Sequence, residues 1–550
     1  VSLGSPLGNH SGHEPFPVMS RIMSSAAMSP FRIASGVAAA GGAYATYLYQ
    51  TNEGTRRAVI AYSTFLPIIA RYRYVEWRDR DSKSEEYAAL DAQYAADAVA
   101  AMGELQGMYC KYAQTAAGMA TTLSDVWVQE LRKLEDQVPP RSIEDVFQTI
   151  EEETGAHWSE TFATFDPVPL GSASIGQVHR ATLKSDPTQV VAVKVQYANA
   201  RRLFKKDMRT IRAMCTLAAP EQLFMLDALE EQNGAELDYT LEAASLREVA
   251  RNMKRHGLAP REVVVPRPID GLSTKRLLVM ELLPGPKLID GLRAYGRAVA
   301  KREGTTLEAL EANMKAKFES GDIAPKYNGP SARQIELYLA FMVARDAACN
   351  FAIRIWNWVV QFIGARVVSL LLPELELSSW ERLQLPLMST TLPPNGPRVI
   401  DTLMRVHGYQ MLCDGVFNAD PHGGNFLMLP DDRIGLIDFG ATKRYSRNER
   451  LMACLTFAAL AKNDEQMLLD LVLVTGYKSK YNDKEVVTKL MQFAYDSWGK
   501  DVTGGKNVIE FTDELKRRDP WQEVPDNFVM GQLMRYVWYT CIICLIKGCA

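Results

Sequence analysis

Apolar and polar residues alternate along this chain with two different periods, and the places where one period gives way to the other mark its main boundaries. From about residue 55 to 165 the apolar positions recur at helical spacing, as in the Ala-rich stretch Tyr87 to Thr122. Pro139-Pro140 predicts a break, and Glu144 to Glu153 a further helix. After Pro167 and Pro169 the pattern shortens to the β-like runs Val178 to Leu183 and Val190 to Val195, joined by a turn at Ser185-Asp186-Pro187. Helical texture returns from Arg201 to His256. Arg276 to Leu283 reads as a buried strand closed by Pro284-Gly285, and the runs Phe426 to Leu429 and Ile434 to Ile437 bracket a turn at Pro430-Asp431-Asp432. The pattern predicts an α+β chain with an N-terminal helical extension, a strand-rich lobe and a helical lobe.

The chain has 550 residues, more than one hydrophobic core usually serves, so a bilobal unit with extensions is expected. An apolar share of 47% with 9% aromatics is that of a globular protein, and a formal charge of -3 gives no reason to expect a nucleic-acid partner. The eight cysteines are scattered and read as reduced thiols; Cys541 and Cys544 form a lone C-x-x-C without a second pair for zinc. The amino end carries more information. Met19 to Asn52 contains no acidic residue and bears Arg21 and Arg32 among Ser and Ala, the composition of an organelle transit peptide, mitochondrial before chloroplast. Ile33 to Tyr49 is uncharged and slightly short for a membrane span.

Four segments carry candidate chemistry. Gly171-Ser172-Ala173-Ser174-Ile175-Gly176-Gln177-Val178 stands where two strands meet and matches the G-x-G-x-x-G-x-V loop that covers phosphates in kinases, with Ala173 at the middle glycine. Small residues there let backbone N–H groups approach phosphate oxygens. Sixteen residues past Val178, Val191-Ala192-Val193-Lys194 supplies the lysine of a Val-Ala-x-Lys strand; an ammonium ending an apolar strand needs a charged partner. Asp420 and Asn425, five apart in Asp-Pro-His-Gly-Gly-Asn, match a catalytic aspartate and a metal-holding asparagine. A short hairpin then delivers Asp438 of Asp-Phe-Gly as the main Mg²⁺ carboxylate, a hard oxygen donor of the kind Mg²⁺ shares with a triphosphate. Met280 and Leu282, at the end of the Arg276 to Leu283 strand, are the candidate nucleotide-contacting hinge. His179 and His422 lack metal-ligand spacing and are read as loop-holding hydrogen-bonders.

Together these motifs resemble the UbiB/aarF-domain family of atypical kinase-like proteins, over roughly residues 100 to 290 and 400 to 480, with a weaker likeness to its mitochondrial aarF-domain-containing kinase one branch. That family replaces the glycine-rich loop by an Ala-rich one, and this chain has Ala173. Its Lys-x-Gly-Gln helix is matched by Lys111-Tyr112-Ala113-Gln114, with Ala113 for Gly. Its Glu-x-Asp and ion-pairing Glu are matched by Glu236-Leu237-Asp238 and Glu242. The family's catalytic loop reads Asp-Pro-His-Pro-Gly-Asn, from which Gly423 departs.

The resemblance implies a kinase-like fold that binds ATP with Mg²⁺. Lys194, Glu242 and Asp420 would be catalytic and Asn425 and Asp438 would hold the metal. Gly171, Ser172, Ala173, Ser174, Gly176, Val178, Lys194, Met280 and Leu282 would line the nucleotide site. Lys111 and Gln114 would guard it, contacting Glu236 and Asp238. It also implies a lipid or quinone-like small-molecule partner, a role in lipid or ubiquinone homeostasis, and association with the mitochondrial inner membrane.

Access is expected to be restricted. Asn418-Ala419-Asp420 stands where kinases have His-Arg-Asp, and no Ala-Pro-Glu follows Asp438-Phe439-Gly440, so the platform for a peptide is missing. An ATPase or a small-molecule or lipid kinase fits better than a protein kinase. An aminoglycoside- or choline-kinase-like phosphotransferase and a nucleotide-binding pseudokinase scaffold stay open as alternatives. The expected organisation is a transit peptide and borderline anchor over 1–54, the helical extension over 55–165, an N-lobe over 166–285, and a C-lobe over 286–550 with an insertion at about 295–398. Within that insertion, Asn350, Arg354, Asn357 and Gln361 recur at helical spacing and leave a wide apolar face. This helix is expected to pack against the C-lobe in preference to lipid.

Overall fold

In the computed structural model of this chain the described residues are 44, 46–78, 84–118, 124–134, 140–218, 223–310, 312–313, 330–364, 384–390, 392, 394–419, 423–495, 500–504 and 508–523. The expected break at Pro139-Pro140 falls partly outside them, and Met19 to Ala43, Asp420 to His422, Cys541 and Cys544 lie wholly outside. The arrangement is the expected α+β bilobal one. The strand-rich lobe is built from β1 (Phe162–Phe165), β2 (Gly171–Ser172), β3 (Gly176–Leu183), β4 (Val190–Gln196), β6 (Pro268–Ser273) and β7 (Leu277–Glu281), while β5 (Val263–Val264) joins a separate sheet. The lobe's sheet runs β1-β3-β4-β7-β6, antiparallel throughout, with β2 paired to β3 ahead of the small-residue loop.

The two-residue period of β4 decides what each face meets. Val191, Val193 and Val195 pack with Leu277 and Val279 against Val146 and Ile150 of helix α5 (Ile143–Thr154). Helix α5 is held by Ser142, which accepts from Asp145 N, and ends at Gly155, whose φ of 72° suits a residue without Cβ. Ala192 turns to the opposite face and packs with Leu246 and Val249 of helix α8 (Tyr239–Arg255). Lys194 is in phase with Ala192, so the backbone itself directs the lysine toward α8.

The extension consists of α1 (Glu53–Arg78), α2 (Ser84–Leu105), α3 (Met108–Gly118) and α4 (Asp125–Arg132), and it packs on α6 (Ala200–Ala218), which α7 (Leu223–Ala235) follows. The helix expected over Tyr87 to Thr122 is broken. Gln106 and Gly107 take φ values of 53° and 55°, and the chain turns into α3. The cause is a buried ion pair. Arg57 of α1 donates to Asp207 of α6 through Nε at 2.9 Å, and its Nη1 takes the Leu105 carbonyl at the end of α2. Arg57 thereby fastens three helices at the point where α3 begins. Leaving one member of a buried pair without the other is expensive, so Asp207→Ala is expected to cost about 3–5 kcal/mol, read as a lower denaturation midpoint.

The second lobe contains α9 (Leu288–Arg302), α10 (Ala332–Val359) and α11 (Gly396–Gly408), then the strands β8 (Val416–Asn418), β9 (Phe426–Met428), β10 (Ile434–Leu436) and β11 (Thr442–Arg444). Helices α12 (Arg447–Lys462), α13 (Glu465–Val474), α14 (Lys484–Tyr495) and α15 (Val508–Arg518) complete it around Leu468, Val486, Leu490 and Phe493. Helix α10 departs from expectation: none of its residues is buried, so its apolar face is not packed against the C-lobe. Among the described residues no helix is long and apolar enough to cross a membrane.

His407, near the end of α11, is 1% exposed and lies edge-on to Phe426. Burial pushes its pKa down from 6.5 to about 4. Between those values the unfolded chain binds a proton that the folded chain refuses. Stability should therefore fall as pH drops from about 6.5 towards 4, by up to about 1.4 kcal/mol per unit. His407→Leu should flatten that limb of a stability-versus-pH curve.

Candidate nucleotide site

Glu242 belongs to the buried stripe of α8, beside Tyr239, Ala243 and Leu246, so its charge must be answered inside the protein. Lys194 answers it. The ammonium donates to both Glu242 oxygens, at 2.8 and 2.9 Å, and to Asp438 Oδ2 at 3.3 Å. Its underside rests on the Tyr239 ring, 5.1 Å from the centroid. Burial works against the ammonium, but Asp438 and Glu242 more than offset it and hold the Lys194 pKa well above its usual value. Burial pushes Glu242 up to about 7, with Asp438 adding to the rise and Lys194 opposing it. For Asp438 the desolvation is outweighed by Lys194, the Gly440 N–H and Lys111, and its carboxyl is held below the ordinary range.

Asp438 comes from the other lobe and is oriented by backbone. Its Oδ1 accepts from Gly440 N at 2.8 Å, and its carbonyl accepts from the Asn418 amide at 2.9 Å. Asn425 closes the single turn Gly423–Asn425, and its carbonyl accepts from Ile437 N at 3.2 Å. Ala419 N donates to Ala441 O at 2.9 Å, and β8 pairs with β11, so both ends of the loop around Asp420 are stitched to the Asp438 segment. A Cβ built on Gly440 would lie 3.3 Å from Asp438 Oδ1 and 3.4 Å from Glu242 Oε2. A side chain there would press on both carboxylates, which glycine leaves in place.

The gating residues divide. Lys111 reaches Glu236 at 3.0 Å, both side chains largely buried. Asp238 does not join them; it caps α8, accepting from Thr240 N at 3.1 Å. Gln114 lies on α3, its side chain outside the described part. Met108 and Tyr112 of α3 pack with Ile175 of the small-residue loop and Leu237, so the helix that carries Lys111 also covers the loop. Two ammoniums and three carboxylates are gathered here, an excess of one negative charge when all are ionised. Among the described residues no group of three or more His, Cys, Asp or Glu forms a metal site by itself. A cation at Asp438 would therefore need oxygen donors besides carboxylates, such as the Asn425 amide and a bound phosphate.

Within the loop, Ala173 N donates to Gly176 O at 2.8 Å, and Ser172 Oγ meets Tyr197 OH at 2.8 Å. Ser174 lies within this turn and Gly171 pairs with Val178 beyond it; Val178 and Leu282 pack at the edge of the core that contains Met280. His179 holds the loop's base. Its Nδ1 donates to Asp166 O at 2.8 Å, and its Nε2 accepts from the Gln177 amide at 2.9 Å. Gln177 in turn accepts from Arg141 N at 2.8 Å, which ties the end of the extension to β3.

Tyr239, Asn418 and Gly440 were not singled out as site residues from sequence. Tyr239 directly follows the Glu-x-Asp motif, and Asn418 occupies the first position of the His-Arg-Asp triplet; those placements were the only signals available. The glycines of the loop are not equivalent. A Cβ at Gly176 would come within 2.6 Å of both Val195 O and Tyr239 OH, whereas at Gly171 the nearest atom is the flexible Lys287 Nζ at 3.9 Å. Gly176→Ala is expected to destabilise by about 1–3 kcal/mol and Gly171→Ala by under about 0.5 kcal/mol, compared by thermal unfolding.

Comparison with known proteins finds kinase-like relatives. The ABC1 atypical kinase-like domain matches residues 133–321 and 391–472; the stretch between, 322–390, contains α10. AarF domain-containing protein kinase 1 of Mus musculus is 30% identical over 287 residues, 49% of this chain and 52% of that protein. AarF domain-containing kinase 1 of Drosophila melanogaster is 29% identical over 272 residues, 47% and 51% of the two chains. The chain thus spans about half the length of these relatives. A probable protein kinase UbiB of Shewanella piezotolerans is 32% identical over 218 residues, 38% of each chain. Among solved structures, the Rv3197–erythromycin complex from Mycobacterium tuberculosis aligns over 85% of this chain and 95% of that one, with a TM-score of 0.41 and 20% identity.

Proposed function

We propose that this chain, which belongs to the UbiB/aarF-domain family of ABC1 atypical kinase-like proteins, binds ATP with Mg²⁺ and hydrolyses it or transfers its γ-phosphoryl group to a small molecule or lipid. The observation that carries the reading is the Lys194–Glu242–Asp438 cluster, contributed by both lobes beneath the Ala173 loop. In it, Lys194 is positioned to hold the α and β phosphates, with Glu242 keeping its ammonium in place. Asp438 and Asn425 would hold Mg²⁺, which when bound neutralises charge on the phosphates. Asp420 would accept the proton of the attacking water or hydroxyl while the β–γ bridging bond breaks and ADP leaves.

Lys111 and Glu236 stand for the gate, because α3, which carries Lys111 and is held by Glu236, covers the side from which a peptide would approach. We assign the acceptor to lipid or quinone-like molecules, and the location to the mitochondrion at its inner membrane. The family resemblance and the acid-free Met19 to Asn52 stretch support that assignment.

Mg²⁺ with ATP should stabilise the wild type by about 2.7 kcal/mol at a hundred times the dissociation constant, and Asp438→Asn should lose most of that gain. An unchanged ATP-induced melting shift in Asp438→Asn would remove the metal assignment. ADP release should be abolished in Asp420→Asn and should not be accompanied by phosphate transfer to generic peptides. Robust peptide labelling by wild type would overturn the gating reading.

A further inference from the structure

Helix α10 continues through the turn Val360–Gly364, and the segment 384–390 lies along it, held by side chains of the helix. The Asn350 amide donates to Met388 O at 2.9 Å and accepts from Met388 N at 2.6 Å. Asn357 makes the same double bond with Leu385, at 2.9 and 2.8 Å. Asp346 accepts from Thr390 N at 2.9 Å and is itself paired with Arg345 at 2.6 Å. Seven helical residues rise about 10.5 Å and three extended residues about 10 Å, so the match of 350 and 357 to 388 and 385 defines an extended strap running antiparallel to the helix. Surface loops usually leave such backbone groups to water. Here a polar seam of the helix satisfies them from within and leaves the strap's apolar side chains facing outward.

Exposed Glu336, Arg354 and Gln361 flank that seam on one side, and the rest of the hairpin surface is largely apolar. Opposite the seam, at helical spacing, Leu337, Phe341, Phe351, Ile355, Trp358 and Phe362 are between 49% and 68% exposed. On the seam side Leu385, Leu387 and Met388 are 40–51% exposed. The stripe offers on the order of 800 Å², about what one partner of a standard interface buries, so a second copy of the chain would cover that side and leave the strap's leucines in water. A bilayer interface takes up apolar side chains on more than one flank of an element while its charged residues stay at headgroup level; a protein partner covers one face of it. Arg333 and Arg354 are exposed on the same helix, where their long stems allow the guanidiniums to reach phospholipid headgroups. We infer that the α10–strap hairpin is a membrane-docking element that lies in the interfacial region of a phospholipid bilayer and brings the nucleotide-site lobes to the lipid surface. This deepens the lipid assignment of the preceding section, but its test does not depend on turnover.

The full chain is mixed with phosphatidylcholine vesicles at high salt and floated on a density gradient. The combined Phe351→Glu, Ile355→Glu and Trp358→Glu variant should lose more than about tenfold in vesicle-bound protein, with an unchanged melting temperature and an unchanged MgATP-induced shift. Acyl-brominated lipid should quench tryptophan emission of the wild type, and Trp358→Phe should remove part of that quenching, which reads insertion of the hairpin apart from any other attachment. Flotation and quenching unaffected by the substitutions would overturn the inference. So would a lowered melting temperature without loss of flotation, which would place the face inside the protein. A concentration-dependent dimer abolished by the same variant, with no flotation of wild type, would assign the face to a second copy.

Discussion

The ammonium of Lys194 sits between Glu242 and Asp438, and much of the architecture follows from keeping it there. A charge at the end of an apolar strand is tolerated only where carboxylates meet it at hydrogen-bond distance. β4 sends its valines to α5 and its lysine to α8, α8 offers Glu242 in its buried stripe, and Asp438 arrives from the opposite lobe. One cation therefore fixes the roll of β4, the rotation of α8 and the approach of the two lobes. It also gathers more negative than positive charge into one place, a condition that a divalent cation relieves.

The helical extension adds a second ammonium to this cluster, and its position is set by a buried ion pair outside the site. Arg57 ties α1 to Asp207 of α6 and takes the carbonyl that ends α2, so that α3 starts from a fixed point and carries Lys111 to Glu236. The covering of the loop is thus not a loose lid but a packed helix, with Ile175 and Leu237 in contact with Met108 and Tyr112. At the other end, Arg141, Gln177 and His179 bind the extension to β3. A site roofed in this way is closed to a folded protein more readily than to a small molecule.

The α10 hairpin shows how one pattern can have two destinations. Its polar residues recur at the same interval as those of any half-buried helix, yet in the fold they satisfy a strap of backbone while the apolar residues face outward. Helical periodicity reports which residues share a face; it carries no information about what covers that face. The same is true of Tyr87 to Thr122, where an unbroken helical texture hides the turn at Gln106 and Gly107, because the force that bends the chain comes from Arg57, some fifty residues away.

Legible in the sequence were the strands around Gly171 to Lys194, the hairpin that delivers Asp438, the family, and the residue types of the candidate phosphate site. These rest on local spacing and on the chemistry of the side chains, and local spacing is written in the chain. It takes the folded chain to show that Lys111 meets Glu236 while Asp238 caps a helix, that Tyr239 lies beneath Lys194, and that a side chain is crowded at Gly176 but not at Gly171. Each of those outcomes depends on elements distant in sequence sharing one volume, where close packing and the cost of burying charge choose among partners that the motifs alone leave equivalent.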